Sequence, residues 1–359
     1  MDCTGSMGAY ISSAKQNIEA IVDRLVAQEN FSLRVSLVAY RDHPPQDRTY
    51  VTKSFPFTSD LSQMKDNLRS LSAQGGGDGP EAVAAALHAT LHQGWREEAT
   101  KVCILIADAP PHGLGENGDG FPEGGPDGVD PLSVLDEMSS RGICIYAVGC
   151  QPALSRYRFA TDFFIACADR TNGQAVALGS AAMLAEVIMG GAIEEMDLER
   201  ISTQVQQQVL QLRASEPGLA EEEVQRKVFR GLSSAGCRTR HMRSSKLQAE
   251  YGACFTNSAS LSMARETLKS APAPPPRPRG AAFGGTAAAP SKAKQCRRMR
   301  RRSECEKDKK EERVDVWAEH DEAEDALAES MDEVRIEEES ISLEQVSRVF
   351  GKCKKKGMF

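Results

Sequence analysis

Two short apolar runs constrain the fold of this chain more than any other feature. Residues 102–107 and 143–148 are continuously apolar, which is typical of strands buried on both faces of a sheet. Helical spacing of apolar residues fills the segments between these runs. Strands that alternate with helices predict an α/β fold with a doubly wound, mostly parallel sheet flanked by helices. The full set of predicted strands is 33–40, 50–55, 102–107, 143–148 and 174–178.

The helical segments show the same regularity. Asp60, near the start of one of them, is a candidate N-cap, and Pro131 opens another. The predicted helices are 9–29, 59–72, 80–93, 131–140, 159–171, 181–212, 219–232 and 261–268.

Composition places few limits on function but some on compartment. The chain is 40% hydrophobic and 26% charged. Its formal charge of −7 is mild and does not indicate a particular class of partner. No apolar run of about 18 residues exists, so we expect no membrane span. The first residues lack the basic and apolar parts of a signal peptide. Ten cysteines without a Cys-x-x-Cys pair indicate buried thiols in a reducing, intracellular protein rather than disulfides or structural zinc.

The candidate functional residues begin at the start of the chain. Asp2, Thr4 and Ser6 occupy alternate positions just before a helix, so their side chains can converge on one point. Oxygen ligands of this kind suit a hard cation such as Mg²⁺. The alternative is an ordinary N-cap, for which the same residue types are preferred.

Two later segments extend this pattern. A glycine-rich loop, 75–81, carries Asp78 and Glu81 and opens a helix. Asp108 ends the apolar run 102–107, at the sheet edge where open α/β folds place their ligands.

Together the three segments resemble the metal-ion-dependent adhesion site of a von Willebrand factor type A (vWA) domain. The similarity is greatest to the intracellular branch with Asp-x-Thr-Gly-Ser-Met and Gly-Gly-Asp-x-Pro-Glu, which includes the vWA domain attached to some alpha-type protein kinases. The resemblance covers about the first 190 residues and implies a Rossmann-like fold. The metal ligands that it implies are Asp2, Thr4, Ser6, Asp78 and Asp108.

The resemblance also implies a function. In this family the bound Mg²⁺ completes its coordination with an acidic side chain of a partner protein. Mn²⁺ or Ca²⁺ can take the place of Mg²⁺. We therefore expect a metal-dependent protein-binding module that acts as an intracellular scaffold, and no enzymatic activity. Asp78 stands where many relatives carry Thr, and its carboxylate neutralises more of the metal's charge.

One departure from the family concerns the sheet. A central apolar strand normally precedes the first metal loop, whereas only Met1 precedes Asp2 here. We expect a truncated chain in which two neighbouring strand edges lack a backbone partner, which is costly when the edges are buried.

The alternative function is phosphoryl transfer. Residues 2–6 also resemble the aspartyl-phosphate loop of haloacid-dehalogenase-like enzymes, with Asp2 as the nucleophile. The Asp-x-Asp form of that loop is absent, however, and no acidic pair follows residues 118–120. An alpha-kinase catalytic domain is also not visible after residue 215.

Several polar residues near these loops are interpreted as structural. We expect His112 to be an exposed loop histidine, Glu81 to be a first-turn helix charge, and Asp42 with His43 to form a turn. The Gly-rich loop 113–128 contains Asp119 and Asp127, which could bind a second cation, but a solvated acidic loop is the preferred interpretation.

We divide the chain into a vWA-type domain at 1–190, a helical extension at 191–270 and a charged low-complexity tail at 271–359. The basic segments 238–246 and 292–310 favour solvated surface or disordered tail over nucleic-acid binding. A short helix is predicted near 342–350. The expected location is cytoplasmic, with 292–310 as a candidate nuclear signal.

Overall fold

The strands of the protein form three small sheets in a computed structural model that describes residues 1–27, 32–248, 250–269 and 334–359. The strands are β1 (Val35–Tyr40), β2 (Thr52–Thr58), β3 (Lys101–Ala107), β4 (Ile143–Cys150), β5 (Gln174–Leu178), β6 (Arg238–Arg243) and β7 (Arg335–Ser340). The helices are α1 (Gly8–Ala27), α2 (Leu61–Arg69), α3 (Val83–Leu91), α4 (Pro131–Ser140), α5 (Ala160–Thr171), α6 (Leu184–Ser215), α7 (Glu221–Ser234), α8 (Gly252–Asn257), α9 (Leu261–Lys269) and α10 (Leu343–Lys355).

The parallel sheet predicted from the apolar runs is confirmed. Strands β3, β4 and β5 pair in that order, with Ile106 opposite Val148 and Val148 opposite Val176. Every residue of β4 is buried, which explains why its sequence is apolar without alternation. Helix α4 lies between β3 and β4, and α5 lies between β4 and β5, so the α/β class is confirmed. Strands β1 and β2 follow each other without a helix and pair antiparallel.

Two predicted helix starts follow from side-chain caps. The carboxylate of Asp60 accepts hydrogen bonds from the amides of Ser62 and Gln63 at the start of α2. Asp130 caps α4 in the same way, ahead of Pro131. Each cap satisfies backbone donors that the helix itself cannot pair.

The first three residues join β1 to the parallel sheet. The amide of Asp2 donates to the carbonyl of Ile106 at 3.0 Å, and that of Cys3 donates to the carbonyl of Tyr40 at 2.9 Å. Residues 1–3 therefore occupy the slot between β1 and β3 that the family's central strand would fill, but only at the end of the slot nearest Asp2.

The rest of that slot is a cavity of about 790 Å³. Apolar side chains of both strands line it, including Val35, Leu37, Val102 and Ile104. Among the described residues, β1 and β3 are bridged only by residues 1–3. The expectation of two strand edges without a backbone partner thus agrees with the observed geometry.

The end of the chain departs from the expected tail. Residues 335–340 form β7, which pairs antiparallel with β6, and the helix predicted near 342–350 extends to Leu343–Lys355. The expected boundary at residue 190 also falls inside α6, which runs from Leu184 to Ser215 without a break. The described residues belong to one compact unit, and residues 271–326 lie outside the described part of the chain.

A buried charged cluster fixes α10 to α6. The Arg348 guanidinium lies 3.3 Å from a carboxylate oxygen of Glu194 and 2.7 Å from one of Glu195, and it donates to the Tyr146 hydroxyl at 2.7 Å. Lys352 also pairs with Glu195. Periodicity alone gave no sign of this cluster, because its partners lie about 150 residues apart in the sequence.

The basic segment 238–246 is neutralised within the fold. Arg238 pairs with Glu338, Arg243 with Glu339, and Lys246 with Glu344. These acidic partners support the expectation that the segment is surface rather than a nucleic-acid site. The basic segment 292–310 lies outside the described residues. None of the described helices is both long enough and apolar enough to cross a bilayer.

Candidate metal site

The loop that follows Met1, which we call the hydroxyl loop (residues 2–6), turns back on itself through Asp2. One oxygen of the Asp2 carboxylate accepts from the Thr4 amide at 2.8 Å and from the Thr4 hydroxyl at 2.7 Å. The hydroxyl oxygens of Thr4 and Ser6 are 3.5 Å apart. Thr4 is the N-cap residue of the short 3₁₀ turn that leads into α1, but its side chain makes no capping hydrogen bond. The N-cap alternative therefore does not account for the Thr4 hydroxyl, which faces Asp2.

Asp108 brings the third predicted segment to the same place. It directly follows β3, is 5% exposed, and its carboxylate is hydrogen-bonded by the Ser6 hydroxyl. Because Asp2 is held between β1 and β3 at their carboxyl ends, both carboxylates lie at the sheet edge predicted for ligands. The structure thus brings together Asp2, Thr4, Ser6 and Asp108.

The glycine-rich loop lies against the hydroxyl loop. The amide of Gly5 donates to the carbonyl of Gly75. At Gly76, where φ is +79°, an added Cβ would lie 2.8 Å from a Glu81 carboxylate oxygen and 3.5 Å from the Thr4 Cβ. Glycine at this position therefore allows Glu81 and Thr4 to approach each other.

Glu81 is a correction to the sequence interpretation. The sequence predicts a charge in the first turn of a helix, whereas Glu81 is 4% exposed and precedes α3. Its amide donates to the carbonyl of Pro110, which ties the glycine-rich loop to the segment after Asp108.

The carboxyl groups of this site carry more negative charge than their surroundings balance. Burial, and then the charge of Asp108, raises the pKa of Asp2 to about 7. Burial, followed by the charge of Asp2, raises the pKa of Glu81 to about 10. Burial also raises the pKa of Asp108. One oxygen of Asp2 and one of Glu81 accept no hydrogen bond from the described residues. A divalent cation would supply the missing positive charge, and the all-oxygen donor set fits a hard ion.

Asp78, the fifth predicted ligand, makes its contacts elsewhere. Its carboxylate accepts from the Gly120 amide. Its oxygens lie within 4.8 Å of a carboxylate oxygen of Asp42 and of a ring nitrogen of His112. We call Asp42, Asp78 and His112 the histidine group.

The histidine group contains several residues that were interpreted as structural or exposed. His112 is 4% exposed rather than an exposed loop residue, and Asp42 is fully buried. The ring of His112 lies 2.7 Å from Asp42 through Nε2 and 2.7 Å from Asp119 through Nδ1. Asp119 also accepts from the amides at 113 and 121, and its side chain is 1% exposed. It is therefore a buried exception in a loop whose residues 115–128 are otherwise exposed or half-buried. Although burial alone would lower it, these carboxylates raise the pKa of His112 to about 9.

Sequence reasoning missed this group because its members are distant in the chain. Asp42 and His112 are 70 positions apart, and neither lies in a spacing pattern that ligands share. The only local signal is the run of glycines around Asp119, which permits the loop to fold back over His112.

Fold and site together define an α/β protein with a group of oxygen donors at the carboxyl edge of its parallel strands. The family model of the von Willebrand factor type A domain matches residues 1–160. Residues 1–160 therefore match the family that the three loop segments predicted.

Two relatives match parts of this chain. The putative ariadne-like RING finger protein R811 of Acanthamoeba polyphaga mimivirus is 29% identical over 187 residues, which is 50% of this chain and 18% of that protein. The alpha-protein kinase vwkA of Dictyostelium discoideum is 31% identical over 149 residues, which is 41% of this chain and 24% of that protein. This chain thus spans a quarter or less of each relative, and their names describe proteins with much more sequence.

Proposed function

We propose that the vWA domain binds other proteins through a divalent cation held by the hydroxyl loop. vWA domains as a class are interaction modules, and the donor set here is the observation that carries the metal-dependent form. Thr4 and Ser6 would bind the ion through their hydroxyls, Asp108 through its carboxylate, and Asp2 through water while it orients Thr4. Mg²⁺ is the proposed ion, and Mn²⁺ or Ca²⁺ has the same oxygen preference.

The buried carboxyl oxygens without partners support this assignment. A carboxylate buried without a hydrogen bond is costly, and one oxygen each of Asp2 and Glu81 is in this condition. Ser6, in contrast, is exposed, so an ion bound beside it would be reachable from outside. A partner's acidic side chain could then fill an open coordination position. Asp78, which the sequence placed in this ligand set, is proposed to act with the histidine group.

A scaffold in the cytoplasm or nucleus is the proposed setting. All eight cysteines in the described part of the chain are free, which suits a reducing compartment. The partner itself is proposed only by its chemistry, an accessible Asp or Glu side chain.

Phosphoryl transfer by Asp2 has less support. A nucleophilic carboxylate must reach phosphorus, but Asp2 is fully buried and one of its oxygens takes two hydrogen bonds from Thr4. Acid-labile phosphorylation of Asp2 would favour that alternative.

Thermal unfolding of the whole chain tests the proposal. The melting temperature is compared in chelator, in Mg²⁺ and in Mn²⁺ for the unmodified chain and for Asp108→Ala. The matched control is Asp66→Ala, because the Asp66 side chain on α2 is 71% exposed. Metal at about 100 times its dissociation constant should stabilise the fold by about 2.7 kcal/mol.

The expected result is a rise in melting temperature with metal that Asp108→Ala removes and Asp66→Ala retains. A cooperative transition that does not respond to either ion in the unmodified chain would refute the metal site. Comparing each protein with itself, with and without metal, separates binding from any direct effect of the substitution on stability.

A further inference from the structure

The histidine group has the arrangement of a second, chemically different cation site. Oxygens of Asp42 and Asp78 and a ring nitrogen of His112 all lie within 4.8 Å of one another. They come from three loops: the one after β1, the glycine-rich loop, and the one after β3. Asp42 is fully buried and His112 is 4% exposed, so two of the three donors are held away from water.

Asp119 fixes the orientation of the His112 imidazole. In metal sites a carboxylate often plays this part by accepting a hydrogen bond from the ring nitrogen that does not bind the metal. Its oxygen lies 2.7 Å from Nδ1 of His112. The amides of Gly113 and Phe121 each donate to Asp119 at 2.8 Å and fix its position. In the metal-free protein the ring donates to Asp119 from Nδ1 and to Asp42 from Nε2. A bound ion would take the place of the Nε2 proton, while the Nδ1 proton would stay on the hydrogen bond to Asp119.

Each inner carboxylate has one oxygen in use and one without a partner. The amide of His43 donates to Oδ1 of Asp42 at 2.6 Å, and the amide of Gly120 donates to Oδ2 of Asp78. Oδ2 of Asp42 and Oδ1 of Asp78 are buried without a hydrogen-bond partner. Asp42 is close enough to raise the pKa of Asp78, adding to the effect of burial. Two neighbouring carboxylates of this kind need a cation or a proton between them.

We propose that Asp42, Asp78 and His112 bind a Zn²⁺-class divalent transition-metal ion, separate from the ion of the hydroxyl loop. One imidazole nitrogen with two carboxylates suits Zn²⁺, whereas Mg²⁺ prefers oxygen ligands only. Three protein ligands leave one tetrahedral position for water.

The location of this ion gives it a structural role. The ring of Phe121 packs edge-on against His112, with 4.9 Å between centroids, and covers it. The ion would join the loop that carries Glu81 to the loop that follows Asp108. It would therefore stiffen the walls of the hydroxyl-loop site without contacting a partner.

The test uses the whole chain in a His88→Gln background. His88 on α3 and His92, which directly follows α3, are exposed, and their ring centroids are 4.3 Å apart, so they could bind a transition-metal ion by themselves. Zn²⁺ and Mg²⁺ are each titrated while the melting temperature is followed, after prior treatment with chelator.

We expect Zn²⁺ to raise the melting temperature of the background protein, and this rise to be lost in His112→Gln and in Asp42→Asn. Asp119→Asn should weaken the apparent Zn²⁺ affinity by about 10- to 100-fold, since it removes an outer hydrogen bond. Asp108→Ala should keep the Zn²⁺ response, whereas any Mg²⁺ response should be lost in Asp108→Ala and kept in His112→Gln. The two proposals therefore fail separately.

Nuclear magnetic resonance of the imidazole ring provides a measurement that does not depend on a variant of the site. At saturating Zn²⁺ the ring of His112 should carry one proton, on Nδ1. Two ring protons at saturating Zn²⁺ would overturn the proposal, because His112 would then be an imidazolium between Asp42 and Asp119. A Zn²⁺ response that persists in both His112→Gln and Asp42→Asn would also overturn it, and would assign the ion to other groups such as the thiols.

Discussion

Replacing Glu81 by glutamine should stabilise the metal-free protein. Glu81 is 4% exposed and has one oxygen without a partner, and the first causes of its raised pKa are burial and the charge of Asp2. At neutral pH the folded protein therefore keeps this group protonated, while the unfolded chain ionises it. Glutamine has nearly the shape of the protonated acid. Because it cannot ionise, it does not stabilise the unfolded chain as Glu81 does at neutral pH.

The magnitude follows from the pKa values. The pKa of Glu81 is raised from 4.5 to about 10, so folding binds a proton throughout that interval. Because the folded state binds more protons than the unfolded state, stability falls as pH rises, by about 1.4 kcal/mol for each pH unit. At pH 7 the ionisation of Glu81 in the unfolded chain lowers the free energy of unfolding by at most about 3 kcal/mol. At pH 4 it is close to zero.

Urea unfolding in metal-free buffer measures this difference. The free energy of unfolding is determined at pH 4, 5.5 and 7 for the unmodified chain and for Glu81→Gln. Glu97→Gln is the control, because Glu97 is exposed. The advantage of Glu81→Gln should grow steadily over this range, while the control stays within about 0.5 kcal/mol of the unmodified chain at each pH.

Adding Mg²⁺ should reduce that advantage. A bound cation supplies the positive charge that the ionised Glu81 lacks, so the unmodified chain gains more from metal than the variant does. The reasoning is refuted if Glu81→Gln is no more stable than the unmodified chain at pH 7 in chelator. It is equally refuted if the difference between the two proteins does not change with pH.

Two further substitutions test the fold. Asp60→Ala should lower the free energy of unfolding by about 1 kcal/mol, measured by urea unfolding, because the first amides of α2 lose their cap. Arg348→Met should lower it by about 3–5 kcal/mol, since Glu194 and Glu195 would stay buried without the guanidinium. A loss under 1 kcal/mol for Arg348→Met would show that the buried cluster contributes little. No loss for Asp60→Ala would show that water replaces the cap.

Exposed positions supply the controls for both. Asp66→Ala removes an acidic side chain that is 71% exposed on the same helix as the Asp60 cap. Lys354→Met removes a cation that is 53% exposed on α10, in a pair with Glu221. Each control should change the free energy of unfolding by less than about 0.5–1 kcal/mol.

Local signals explain which parts of the fold the sequence predicts well. The helix Pro131–Ser140 and the strand Gln174–Leu178 were predicted with the observed bounds, because a cap with proline opens the first and apolar residues fill the second. The strand β7 was missed. Its sequence is mostly acidic, and it forms because it pairs with the basic strand β6, about 95 residues away.

The same distinction applies to the site. Asp2, Thr4 and Ser6 are neighbours in sequence, so their convergence could be expected from spacing alone. Glu81 was seen but assigned to a helix surface, because nothing local shows that the chain folds over it. The sequence places His112 in an exposed loop, since it does not show that Asp42, 70 positions away, lies against the imidazole ring.

The pairing of β6 with β7 has a consequence for the integrity of the chain. The last 26 residues are held to the rest of the domain by a strand ladder and by the buried contacts of Arg348, not only by the peptide chain. A single cut between residues 270 and 333 should therefore leave two polypeptides that remain associated and co-purify. Residues 1–269 and 334–359, expressed as separate fragments, should associate. The protein could then serve as a split protein, in which association of the two fragments is the measured quantity.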